Sequence, residues 1–215
     1  MRKIKIAPGE YYHIYNRGMN KQELFLDESD YARFIFCLLY FQSEITFNNL
    51  GYYISYFKKN KKFNLSPKTI SRIILERSVE LINFTLMPNH FHATVLEVDE
   101  NGIAVYMQRV LNSYTKYFNA KYNKTGHLFQ GPYQAVHVED DKQLLHLSAY
   151  IHKNCMEIKS IGNSGWTRYF WSSYQDYVKE NRWPELLKSN IILEQFNNEN
   201  EYVDFVKTSL AKELK

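Results

Sequence analysis

Leu81 to Val98 read LINFTLMPNHFHATVLEV, and the organisation of the chain turns on this stretch. Two runs of apolar and β-branched residues meet at Met87-Pro88-Asn89, which predicts a pair of strands joined by a tight turn. On the second strand His90 and His92 stand at i and i+2, so their side chains share one face while Phe91, Ala93 and Val95 take the other. The apolar set belongs to a core. Two imidazoles held side by side can both reach one metal ion, with a third oxygen or nitrogen donor completing the protein's share. Spacing alone leaves a second reading open, in which the pair is simply the polar face of a half-exposed strand.

Outward from the hairpin the pattern alternates. Upstream, Tyr11–Tyr15 (YYHIY) reads as a strand leaving through Asn16-Arg17-Gly18, and Asp27-Glu28-Ser29-Asp30 offers N-cap chemistry for a helix through FIFCLLYF to about Gln42. Residues 43–80 are less regular and read as an insertion or lid, with Ser66-Pro67 opening a helix. Downstream, Glu100–Tyr122 has amphipathic spacing through Val105, Met107, Val110, Leu111, Tyr114 and Phe118. His127–Val138 looks extended with a bend at Gly131-Pro132, and Glu139-Asp140-Asp141 begins a helix to about Met156. A last helix is expected over Glu199–Leu214. This order predicts an α+β fold: a ferredoxin-like antiparallel sheet with helices packed on one face, plus a helical insertion and a C-terminal tail. Residues 1–180 form the expected domain, interrupted at about 43–80, and residues 181–215 a helical extension.

Composition narrows the setting. The 215 residues carry a formal charge of +4, which permits a basic face without demonstrating one, and 16% aromatic residues, including 18 Tyr. No run approaches the roughly 18 consecutive apolar residues of a membrane span, and no apolar run follows the basic N-terminus as in a secretory signal. Cys37 and Cys155 are too few for a disulfide framework and sit among apolar neighbours, so a reducing cytoplasm is the simplest compartment.

MPNHFH, with its apolar strand before and ATVLE after, resembles the His-hydrophobic-His motif of HUH single-tyrosine transposases, closest to the REP-associated tyrosine transposases and their insertion-sequence relatives. YHIYNRG, DESDYARF, YFNAKYNKTGHLFQGPY, AYIHKN and WSSYQDY follow the family's order, so the resemblance covers roughly residues 10 to 178 without the insertion or the tail. It implies a metal held by His90 and His92, with Mg²⁺ or Mn²⁺ as the family's cation. Tyr150 and Asn154 stand four apart on one helix face, but Tyr40 with Glu44 and Tyr177 with Asn181 share that offset. The resemblance of AYIHKN to the family's nucleophile segment singles out Tyr150 as nucleophile and Asn154 as third ligand. Relatives often continue with Asn-Pro, where this chain has Cys155.

The implied activity is cutting and rejoining single-stranded DNA, at hairpins formed by repeats, through a 5′-phosphotyrosine that conserves the phosphodiester's energy. Arg17, Tyr114, Lys116, Lys121, Gln130 and Tyr133 are the candidate DNA contacts, and His13 reads as a structural histidine bordering the site. The DNA partner is expected without a membrane, bound by a monomer or a homodimer. Two rival readings remain: a domesticated protein that binds structured single strands without cutting, and a metal-dependent hydrolase with no covalent intermediate.

Overall fold

The computed structural model describes residues 5–161 and 165–210. Four strands, β1 (Tyr11–Arg17), β2 (Val79–Met87), β3 (His90–Glu97) and β4 (Gln134–Val138), form one sheet in the order β2-β3-β1-β4. Every pairing is antiparallel. The helices α1 (Glu28–Tyr40) and α4 (Gly102–Tyr122) lie in the two crossovers, which gives the ferredoxin-like βαββαβ order the sequence predicts. The β2–β3 hairpin turns at Pro88-Asn89, as expected.

The sheet's period-two alternation divides the core. Tyr12, Ile14, Phe91, Ala93 and Val95 point toward α1 and α4, whose Phe34, Leu38, Tyr106, Val110 and Phe118 are fully buried against them. The opposite face is crossed by α5 (Asp141–Lys153), whose Leu144, Leu147 and Ile151 pack with Ile82, Met87 and Val138. The sides of α1 and α5 are set by sequence chemistry at their starts: Asp27 caps α1 in a reciprocal capping box with Asp30, and Asp140 caps α5. Gly102 opens α4 because a Cβ there would lie 2.3 Å from the Ser78 carbonyl oxygen.

Residues 43–80 hold two helices, α2 (Leu50–Asn60) and α3 (Pro67–Leu75), the second capped by Ser66 as expected. The first was not legible: Asn49 precedes α2 in the left-handed region and makes no side-chain cap. The segment is part of the core, since Phe57 is fully buried and Phe36 of α1 meets Phe47, Tyr53 and Phe63. Beyond α5 come short helices α6 (Tyr174–Val178) and α7 (Asn190–Leu193) and then α8 (Glu199–Thr208). The expected end of the last helix, residues 211–214, lies outside the described residues. Tyr202 of α8 packs with α5 and α6, so the tail shares the second core. Among the described residues no helix is long and apolar enough to cross a membrane.

Candidate active site

The β1–β3 register sets the floor of the site, because Arg17 stands opposite His90 and Tyr15 opposite His92. Both histidines face α5, and their ring centroids are 5.1 Å apart. Tyr150, on the first turn back from the end of α5, brings its ring to 5.5 Å from that of His92. The backbone continues past Lys153 into a 3₁₀ turn over Asn154–Glu157, so Asn154 stays on Tyr150's side of the helix. Its Nδ2 donates to Tyr150 Oη at 3.1 Å, and its Oδ1 lies 3.1 Å from His90 Nε2. Cys155, where relatives often have proline, is buried and leaves this amide in place.

The imidazoles are prepared as neutral donors. Burial pushes His90 down to about 4, opposed by its contact with Asn154 and assisted by the Arg17 charge. Burial, then the neighbouring His13, His90 and Arg17, holds His92 well below the usual histidine value. Neutral imidazole is the form that ligates a metal.

A divalent cation fits the atoms present. His90 Nδ1 lies 2.6 Å from Asn89 Oδ1, and a neutral ring that donates there carries its lone pair on Nε2. In the tautomer with its proton on Nδ1, that lone pair faces Asn154 Oδ1 at 3.1 Å. An imidazole nitrogen and an amide oxygen side by side are donors that a divalent cation would accept. Among the described residues no three His, Cys, Asp or Glu side chains are grouped as a metal site; beside the two histidines stands the Asn154 amide oxygen.

These groups line a cleft of about 480 Å³ together with Tyr15, Asn16, Arg17, Gln130, Gln134 and Glu157. Of the expected DNA contacts, Arg17 and Gln130 are therefore at the cleft. Tyr114 is not: it is fully buried and its hydroxyl donates to the Leu24 carbonyl, which corrects its reading as a DNA contact. Tyr133 is likewise buried at 4% exposure and lines a separate groove beside α4. Lys121 spends its charge on Asp27 and Asp30, at 2.7 Å from each. Lys116 is exposed on α4 but outside the cleft lining. No residue of 43–80 lines the cleft, so the insertion does not lie over it as a lid.

A ferredoxin-like sheet with paired histidines on one strand, faced by a tyrosine on the helix crossing that strand, is the arrangement that the resemblance to HUH single-tyrosine transposases implies. Residues 51–154 match the family model described as "Transposase IS200 like". No curated protein sequence matches the chain. Its fold is similar to a solved structure of a REP-associated tyrosine transposase bound to a REP hairpin, with a TM-score of 0.53 and 13% identity over 86% of this chain and 88% of that one. The matched segment contains His90, His92, Tyr150 and Asn154.

Proposed function

We propose that the chain is a divalent-cation-dependent transposase that cuts and rejoins single-stranded DNA, at hairpins formed by repeats, with Tyr150 as its nucleophile. The observation that carries this reading is the convergence of Tyr150 Oη, the Asn154 amide and His90 Nε2 within two consecutive 3.1 Å contacts. The DNA bound by the similar solved structure supports a hairpin partner.

Tyr150 Oη attacks a backbone phosphorus; the Oη–P bond forms as the P–O3′ bond breaks. The product is a 5′-phosphotyrosine and a free 3′-hydroxyl, the proton lost by the phenol being balanced by protonation of O3′. A second 3′-hydroxyl reverses the exchange and rejoins the strand without an external energy source. The Asn154 N–H donated to Oη favours the phenolate over the phenol. Arg17, at the cleft and free to face an anion, holds the scissile phosphate. His90, His92 and Asn154 Oδ1 would hold Mg²⁺ or Mn²⁺, and such an ion would supply polarisation of the phosphate and neutralisation of transition-state charge. Tyr150 reaches the histidines of its own chain, which supports a site completed in cis, by a monomer.

Incubating the protein with labelled single-stranded hairpins and Mn²⁺ tests the reading. A covalent protein–DNA adduct is expected from the unsubstituted chain and not from Tyr150→Phe. Cleavage that survives Tyr150→Phe points instead to a hydrolase, and tight binding with no adduct across a broad hairpin set points to a non-catalytic binder.

A further inference from the structure

Behind His92 lies a second, fully buried imidazole that the proposed chemistry does not use. The His13 ring stacks on that of His92, with 22° between planes and 5.0 Å between centroids, and its Nε2 lies 2.8 Å from His92 Nδ1. Two neutral imidazoles at this distance share one hydrogen bond, so one ring donates and the other accepts. The direction decides what His92 can do. If His13 donates, the His92 proton sits on Nε2, and the nitrogen left for the cleft has no lone pair. If His92 donates from Nδ1, its Nε2 is a ligand.

We propose that His13 is the positioning residue that holds His92 in the Nδ1–H form by accepting its hydrogen bond, so that Nε2 is presented to the divalent cation. This rests on the metal-assisted reading above. His90 offers the parallel: its Nδ1–H is taken by Asn89 Oδ1, and its Nε2 turns to Asn154. The two ligands thus enter the site through the same ring atom, each held from behind by a different acceptor. A metal-bound histidine is ordinarily oriented by such a partner on its other nitrogen.

As acceptor at Nε2, His13 carries its own proton on Nδ1, and that atom is buried without a partner. The strand register places its relief. Thr94 stands directly across from His13 on β3, and Asn83 directly across from Thr94 on β2. Thr94 Oγ1 and both amide atoms of Asn83 are also buried and unpaired. This polar row crosses three strands beneath α5, on the face that carries His92. One water bridging Thr94 and Asn83 would give His13 Nδ1–H an acceptor. An apolar sheet face would have packed here at lower cost, so the row is spent on the orientation of His92 rather than on stability.

The test uses the full chain stripped with EDTA and titrated with Mn²⁺ alone, free Mn²⁺ being read by electron paramagnetic resonance. His13→Phe keeps the stacked ring but removes the acceptor, and about a 10-fold loss of Mn²⁺ affinity is expected. His13→Gln supplies an amide oxygen at the acceptor position, and recovery of most of that affinity is expected. A purely structural role would lower the melting temperature of His13→Phe and leave Mn²⁺ binding within about two-fold of the parent, an outcome that overturns the proposal. Should His13→Phe not fold, long-range ¹⁵N–¹H spectra of the unsubstituted protein saturated with Mg²⁺ decide the matter. A proton on His92 Nδ1 supports the proposal, and one on Nε2 overturns it. If the parent binds Mn²⁺ no better than His92→Ala does, the metal reading itself fails and this one falls with it.

Discussion

Asn154 binds Tyr150 through its nitrogen and faces His90 through its oxygen, each at 3.1 Å, so one amide joins the two halves of the candidate site. The arrangement depends on helical geometry: residues four apart stack on one face, and the 3₁₀ turn that follows α5 does not swing Asn154 away. The two ends of the amide do different work, and substitution can separate them.

Asn154→Asp keeps an oxygen for the cation but has no N–H for the phenol. Mn²⁺ affinity is expected to hold or rise, while single-turnover adduct formation slows by about 100-fold, the usual cost of one lost transition-state donor. Asn154→Ala removes both ends and is expected to lose both. Parallel Mn²⁺ titration and adduct kinetics check the pair; equal losses in the two variants would show that the amide acts through the metal alone.

Arg17 and Lys121 are both candidate DNA contacts in the sequence, and their surroundings distinguish them. Arg17 lines the cleft, whereas Lys121 is held by Asp27, Asp30 and the Tyr117 hydroxyl. Arg17→Ala is expected to weaken hairpin binding and to reduce the salt slope of log K by about 1. Lys121→Ala should leave that slope unchanged and lower the thermal midpoint instead. Anisotropy titrations across a series of salt concentrations measure the first effect and thermal melts the second.

The division between what was and was not legible follows from locality. The face shared by His90 and His92, and the face shared by Tyr150 and Asn154, are consequences of period within one element, and a single stretch of chain displays them. Which residue of β1 lies behind His92 is set by the pairing of strands some 79 positions apart, as in the His13–His92 contact, and no local pattern carries that. Tyr114 illustrates a signal that was present and overridden. It stands four residues from both Val110 and Phe118 on the buried stripe of α4, so its core placement was already written in the spacing. Gln134 and Glu157 of the cleft wall lie in segments whose direction depends on how β4 and the 3₁₀ turn pack, and nothing in the sequence marked them.

His152 is two residues from Tyr150 and points the other way, into the second core. Its Nδ1 is 2.7 Å from the Tyr202 hydroxyl and its Nε2 2.9 Å from Ser173 Oγ, tying α5 to α8 and to the turn before α6. His152→Ala removes one partner from each of two buried hydroxyls, which keep their bonds to Ser148 and Phe84, and opens a cavity among Tyr174, Tyr177 and Tyr202. A loss of about 2–4 kcal/mol in urea unfolding is expected. His152→Phe, which fills the space but satisfies no hydroxyl, should recover only the packing part. Unfolding curves identical to the parent for both variants would remove His152 from the account of how the tail is held.

Cys37 provides a pH test of the main core. It is fully buried on α1, and burial pushes its thiol up to about 11, partly offset by the charge of Arg33. The protonated thiol is therefore the form that suits the fold, while in the unfolded chain the group titrates near its ordinary value of about 8.5. The stabilising contribution is fully present below that unfolded value. It is lost as pH rises from there toward about 11, because only the unfolded chain ionises in this interval. Two outcomes follow. Native protein at pH 8 should react with iodoacetamide at Cys37 much more slowly than protein unfolded in guanidinium, since the reagent requires an accessible thiolate. The urea midpoint should also fall between pH 8 and pH 10 by more in the parent than in Cys37→Ala, which has no thiol to ionise. Peptide mapping by mass spectrometry checks the first, and paired unfolding curves the second; rapid native labelling of Cys37 would contradict its burial between α1 and α4.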